Sequence, residues 1–487
     1  MLVQSNSNFT FRQSVRLTLQ LSWPAIMAQL SSILMQYIDA AMVGRLGADD
    51  SAAVGLVSTT LWLFWGVCST ATSGYSVQVA HRIGAQDMSG ARKVMTEGFL
   101  VSFIFGMIMA VIGVCIAGRL PHWLGGSETV CDKASIYFFV FVAALPFLSL
   151  NYLGSGVLRA VGKMKLAGGL NILMCVLDVV FNFFFIFPSR YIDVGDWSIA
   201  IPGLNLGVLG AALGTVAAEL TVGIILMWEI GWRDKLLAVF GGRADVKARV
   251  ADFKSTRTIS RNAFKISLPM TIEHIVICGA QIMITVIVAP LGVMAIAANS
   301  FAVTAEALCY MPGYGIGDAA STLTGQSYGA GRKDLAKRFA YITVGMGMVI
   351  MSVMGLVMWV FAYDVMAFLS PVETIRDMGA SALRIEAWAE PMFAASIVAY
   401  GAMVGVGDAT RPAIMNFSSI WLVRIPLAAL LAPRLGLDGV WIAMCIELCF
   451  RGGIFLWRLI SKAWLKHGLK SAEPDALIRS EEFSEFS

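Results

Sequence analysis

Twelve apolar runs, each long enough to cross a lipid bilayer as a helix, constrain this 487-residue chain more than any other feature. They fall near 17–43, 53–78, 94–117, 135–157, 166–188, 204–230, 264–290, 295–322, 338–362, 384–406, 412–433 and 437–460. A hydrocarbon core about 30 Å thick is spanned by about 20 helical residues. With no water inside that core, a spanning segment must satisfy its own backbone, so runs of this length read as helices. Composition agrees: 57% of residues are hydrophobic and only 14% charged, against about 25% charged in soluble domains. The expected fold is an all-α integral membrane protein.

An even number of spans puts both termini on one side, and the basic residues say which. Alternate loops, beginning with the N-terminus, hold 28 of the 36 Lys and Arg; the opposite loops hold seven, and Arg424 lies inside a span. That asymmetry places both termini in the cytoplasm, and the chain is expected in the plasma (inner) membrane. A net charge of +4 is too small to suggest nucleic acid. The expected organisation is a cytoplasmic N-terminus (1–16), a first lobe of six spans (17–230), a cytoplasmic linker (231–263), a second lobe (264–460) and a cytoplasmic tail (461–487). The linker reads either as an amphipathic stretch on the inner membrane surface or as solvated chain. The first 13 residues are polar and the first apolar run continues as a full span, so no cleavable signal is expected. The eight cysteines show no zinc or redox spacing and read as small apolar residues.

Six spans on either side of a linker invite a test for duplication. An offset of 245 carries Pro24 onto Pro269, Leu46-Gly47 onto Leu291-Gly292, Gly84-Ala85 onto Gly329-Ala330, Pro146 onto Pro391, Val161-Gly162 onto Val406-Gly407 and Pro188 onto Pro433. Between 22 and 93, 14 of 72 ungapped positions are identical, against roughly one in fifteen from composition alone. The halves are therefore homologous six-helix bundles. Because six is even they insert in the same sense, related by a pseudo-two-fold along the membrane normal, as in transporters with a central cavity.

The aspartates break this symmetry. Asp39 in span 1 aligns with Ile284, and Asp178 in span 5 with Val423. An unpaired carboxylate in hydrocarbon is costly and usually marks an ion path. Asn171 and Asn182, seven before and four after Asp178, share its helical face and make a polar stripe. Tyr37 precedes Asp39, and Pro24, fifteen residues earlier, can hinge span 1. The second half has its own acids: Glu273 beside His274, Glu306, Asp318, and Glu390 before Pro391. Glu273 and Glu306 lie deep enough to suggest a cation cavity, whereas Glu390 and Asp318 read more readily as packing groups. Arg424 is placed to neutralise one of these acids.

Five segments carry a resemblance. SWPAIMAQLSSILMQYIDAAMVGRLG from 22, LPMTIEHIVICGAQIMITVIVAPLGVMAIAAN from 268, MPGYGIGDAASTLTGQSYGAGRKDLAKR from 311, and GAMVGVGDATRP from 401 with its counterpart GSGVLRAVGKMK from 154 resemble the multidrug and toxic compound extrusion (MATE) transporters. The resemblance covers nearly the whole chain. It implies two six-helix bundles in a V, exporting cationic and amphipathic compounds against a proton or sodium gradient. It also implies that Asp39 and Asp178 form a first-lobe ion site, that Pro24 bends span 1, and that Asn151 and Asn171 are the nearest candidates to complete the site. The chain departs from the sodium-coupled branch, whose second-lobe acids fall here on Ile277 and Phe393, so the coupling cation, H+ or Na+, stays open.

The expected activity is cation-coupled antiport by a monomer, with no cofactor and no metal beyond a sodium ion at Asp39 and Asp178. Small cationic or amphipathic substrates would be held by tolerant walls including Met35, Tyr37, Met174 and Phe181. A lipid-linked precursor flippase of the wider superfamily is the alternative, but it is expected to carry several cavity Arg or Lys residues, and Arg424 alone stands clear of the loops. The chain has no phosphate-binding loop of a primary pump. It likewise lacks the HExxH motif of membrane-embedded metalloenzymes.

Overall fold

The computed structural model describes residues 9–194, 197–233 and 253–468. Its helices are α1 (Phe11–Gly44), α2 (Ala48–Gly84), α3 (Met88–Ala117), α4 (Glu128–Val161), α5 (Met164–Ile186), α6 (Gly207–Trp228), α7 (Phe253–Val288), α8 (Val293–Gly329), α9 (Lys333–Leu369), α10a (Glu373–Glu386) with α10b (Glu390–Gly405), α11 (Thr410–Leu435) and α12 (Leu437–Ser461). Eleven of these are long and apolar enough to span a membrane alone, and the bent pair α10a–α10b makes a twelfth crossing. Most overrun the apolar runs: span 9, expected at 338–362, is helical over Lys333–Leu369. Thirty-seven residues of helix are about 55 Å long, far more than the about 30 Å core, so polar ends continue as helix past the lipid. Hydropathy sees only the middle.

Three local features depart from the expected pattern. Pro188, expected to end span 5, instead begins β1 (Pro188–Val194), which pairs antiparallel with β2 (Trp197–Leu204); a residue without an N–H is tolerated at the start of a strand. Among the described residues this hairpin has no counterpart in the second half, and it shifts the repeat. Gly210 of α6 and Gly439 of α12 do the same job, letting the backbone of the preceding element approach at Phe185–Ile186 and Leu431–Ala432, yet they are 229 positions apart rather than 245. Secondly, α10a and α10b meet at 61°, whereas Pro146, the counterpart of Pro391, sits inside the continuous α4. Thirdly, α11 contains a π-helical turn, Ile420–Arg424. Helix α7 begins at Phe253, within the linker expected at 231–263; residues 234–252 of that linker, where part of the expected amphipathic stretch would fall, lie outside the described residues.

The two bundles meet along α1 with α8 and α2 with α7. Small residues permit this. At Pro24, α1 is approached from both sides: a Cβ on Gly168 of α5 would stand 2.6 Å from the Pro24 carbonyl oxygen, and one on Gly315 of α8 would stand 2.7 Å from the Ile26 nitrogen. Toward the end that holds Phe9 and Gly468, the lobes are bonded through side chains. His81 Nε2 donates to the Gly405 carbonyl at 2.8 Å, Gln326 to Ala160 at 2.7 Å, Thr322 to Arg159 at 3.1 Å and Gln78 to Ile259 at 3.1 Å. At the opposite end Tyr37 donates to the Thr304 carbonyl at 2.5 Å and His274 Nε2 to that of Trp62 at 3.2 Å. All eight cysteines are free.

Candidate functional site

The asymmetric aspartates come together. Asn182 Nδ2 donates to Asp39 Oδ1 at 2.9 Å and to Asp178 Oδ2 at 3.1 Å, so one amide bridges two carboxyls. The i, i+4 spacing on α5 stacks Asn182 over Asp178, and α1 brings Asp39 alongside. Asp178 and Asn182 are fully buried, Asp39 half-buried. Gly214 of α6 closes the site from behind, and a Cβ there would overlap Asn182 Oδ1. Asp178 Oδ1 and Asn182 Oδ1 have no hydrogen-bond partner among the described residues. Two free buried oxygens beside two carboxyls are hard donors suited to a proton or a small cation.

The remaining first-lobe candidates lie elsewhere. Asn171 donates to the Ala28 carbonyl and to Ser32 Oγ, both at 2.9 Å, so it ties α5 to α1 below the aspartates. Tyr37 reaches across to the other lobe. Asn151 donates to Glu219 of α6 and not to the aspartate pair. Glu219, an acid in the middle of the sixth apolar run, was overlooked by the sequence reading, although a lone acid in such a run is the same signal that singled out Asp178. Met174 is packed in the first-lobe core; it and Met35, Tyr37 and Phe181 do not line the cavity between the lobes.

That cavity holds about 420 Å³ and is walled by α2, α4, α7, α8, α10b, α11 and α12. Of the second-half acids Glu273 and Asp318 line it, Glu273 accepting from Tyr400 Oη at 2.5 Å and from the Asn416 amide. Glu306 and Glu390 instead gather with Glu386 at the α10a–α10b bend, all three buried, and Glu386 Oε1 and Glu390 Oε2 are without a hydrogen-bond partner among the described residues. Asp318 is half-buried, 3.9 Å from Arg159. Arg424 pairs with none of the expected acids. It grips Glu447 of α12 through Nε at 2.9 Å and Nη2 at 2.5 Å, while Ser419 donates to the other oxygen.

Arg451 corrects the charge assignment. It was counted with the loops, but it lies inside α12, buried, with Nε 3.1 Å from Glu447 Oε1. A position four residues from Glu447 on a helix follows from i, i+4 geometry; nine residues before the end of the last apolar run, the arginine passed for part of the basic tail. Arg424 is therefore not the only arginine within the spans.

With this geometry in view, the chain resembles known proteins along most of its length. It is 24% identical to a probable multidrug resistance protein NorM of Thermotoga maritima, covering 93% of this chain and 94% of that protein. It is 26% identical to the probable NorM of Pseudomonas aeruginosa over 87% and 84%. Among solved structures, a MATE protein in complex with MaL6 superposes with a TM-score of 0.84 at 21% identity, covering 93% of this chain and 97% of the other. The MatE family model matches residues 24–184 and 269–430, the same two halves that the internal repeat aligns. The chain belongs to the MatE family and is a membrane transporter rather than an enzyme.

Proposed function

We propose that this transporter is a secondary antiporter that exports cationic and amphipathic drugs or toxic compounds in exchange for protons or sodium ions. It would sit in the plasma (inner) membrane with both termini cytoplasmic, as the basic loops argue even with Arg451 set aside. The observation that carries the reading is the single Asn182 amide held between Asp39 and Asp178. Two carboxyls this close repel when both are ionised, and burial makes that repulsion expensive. One bound cation, proton or sodium, relieves it.

In the proposed cycle the ion enters from outside and neutralises the Asp39–Asp178 pair. Asp39 lies on α1 beyond Pro24, and a proline cannot donate to the carbonyl four residues back, so α1 is weakest where Gly168 and Gly315 press on it. Neutralisation lowers the cost of shifting Asp39 against α5, and α1 rearranges about Pro24. Since α1 also packs on α8, its movement reaches the other lobe and the cavity. Substrate lies in that cavity against Glu273 and leaves outward as the ion is taken up; release of the ion to the inside restores the charge. The names of the NorM relatives, which speak of multidrug resistance, support the export of drugs.

The test is dye efflux from proteoliposomes with proton and sodium gradients imposed separately, in wild type, Asp39→Asn and Asp178→Asn. One gradient should drive wild-type efflux and neither variant should respond to it. Gradient-driven efflux in both variants at normal protein levels would sink the coupling scheme.

A further inference from the structure

The first lobe holds a third acid, and no base answers it. Glu219 lies on α6 five residues past Gly214, which backs the Asp39–Asp178 site, and so about 7 Å further along the helix axis. Thr215, beside Asp178, is four residues before Glu219 and shares its face of α6. Asn151 Nδ2 donates to Glu219 Oε2, whereas Glu219 Oε1 has no hydrogen bond among the described residues. Asn151 is more than nine-tenths buried, and its Oδ1 is also without a partner among the described residues. The carboxamide that touches Glu219 therefore brings a second free oxygen with it.

Every Lys and Arg of α1–α6 falls within six residues of a helix end, and among the described residues no ion pair reaches Glu219. The titratable groups around it are Asp178, Cys175 and Tyr152, none of them a cation. The second lobe treats its own buried acid differently, holding Glu447 between Arg424 and Arg451. A carboxylate in mid-span without a countercharge is costly, and a proton or small cation from solution relieves it. Glu219 is only half-buried. Tyr152, next to Asn151 on α4, lines the cavity between the lobes, so the way from Glu219 to that cavity passes one phenol.

The geometry points to a second coupling-cation site in the first lobe, built from Glu219 Oε1 and Asn151 Oδ1, which fills and empties in the same cycle as the Asp39–Asp178 pair. This rests on the antiport proposed above and adds a stoichiometry to it: two cations enter for each substrate that leaves. A proton is held on Glu219 Oε1, a sodium ion between the two oxygens. Either arrives from outside and departs inward past Tyr152. For a singly charged substrate the exchange then moves one net positive charge inward, and the membrane potential becomes a driving force in its own right.

The test uses proteoliposomes loaded with ethidium, a monovalent cation, followed to steady state. With the coupling ion equal on both sides, a tenfold potassium gradient with valinomycin, interior negative, should leave ethidium about tenfold lower inside than outside in wild type. Passive leak drives the dye the other way. In Glu219→Gln the exchange becomes one for one and the difference should vanish. At zero potential a tenfold ion gradient should separate the dye about a hundredfold in wild type and about tenfold in Glu219→Gln; Glu219→Asp should keep the wild-type ratios. Should Glu219→Gln fail to fold, the double variant Asn151→Leu with Glu219→Leu takes its place, since removing both partners of a buried bond costs little. Wild-type ethidium indifferent to the potential overturns the second site and leaves one-for-one antiport at Asp39 and Asp178 standing. So does a potential-driven difference that survives loss of Glu219, or the loss of all transport in a folded Glu219 variant. Ethidium that follows neither force in wild type removes the antiport, and the second site with it.

Discussion

Replacing Gly214 by Ala tests the first-lobe site without altering any charge. The added Cβ would overlap Asn182 Oδ1 and stand 3.0 Å from the Asn182 backbone nitrogen. Backbone on α5 cannot retreat cheaply, because Asn171 ties that helix to α1, so the Asn182 side chain must swing aside by about 1 Å or more to regain van der Waals separation. That breaks its donation to Asp39 at 2.9 Å and to Asp178 at 3.1 Å. Hydrogen bonds to charged groups contribute about 1.5–3 kcal/mol each, and overpacking costs about 1–3 kcal/mol. Part of this is recovered because Ala favours helix over Gly by about 1 kcal/mol. With both bonds lost, a net loss of about 3–8 kcal/mol is expected at the site. Its clearest signature is functional: the ion concentration giving half-maximal efflux should move by tenfold or more, since about 1.4 kcal/mol corresponds to a factor of ten. The assay is dye efflux titrated with the coupling ion, alongside the thermal midpoint in detergent. Gly169→Ala is the control, because nothing lies within 4 Å of a Cβ there, and it should be neutral or slightly stabilising. If Gly214→Ala kept the wild-type ion dependence, the amide bridge would have no part in coupling.

Three further outcomes follow from other pairings. Asn151→Ala removes the side chain that donates to Glu219 and should lower stability by about 1–3 kcal/mol, seen as a reduced thermal midpoint that Glu219→Gln partly restores. Glu447→Gln should destabilise more than Arg424→Met, by about 3–5 kcal/mol, because the first leaves two buried arginines facing an amide and the second leaves Glu447 with Arg451; denaturation of both variants in the same detergent ranks them. Removing His81 and Gln326 together, each by Ala, takes away two bonds that join the lobes near the chain ends. It should raise the labelling rate of a cysteine placed at Ser321, a cavity residue, by a reagent supplied from that side, and an unchanged rate would deny those bonds a role in closure.

How far the sequence could be read depended on whether a residue's meaning was local. The twelve crossings are local, since each segment must satisfy its own backbone in lipid, and eleven helices with one bent pair match them. The duplication was legible because homologous positions keep their prolines and glycines. The hairpin and the 61° bend were not, because Pro188 and Pro391 look like their counterparts Pro433 and Pro146 until strand pairing or packing decides what a missing N–H will do. Arg451 was hidden for a related reason: counting charges by loop assigns an arginine near the end of a span to water.

Asp39 and Asp178 stood out in the sequence because hydrocarbon makes each lone acid conspicuous and the repeat offered neutral counterparts at Ile284 and Val423. What joins them was not visible. That Asn182 bridges them while Asn151 goes to Glu219, and that Arg424 answers Glu447 and not Glu273 or Glu306, depends on which faces of α1, α4, α5, α6, α11 and α12 meet. A helix's sequence says which residues share its face and how costly each would be in lipid. The choice of partner for each buried charge is made between helices far apart in the chain, and only the packed bundle makes it.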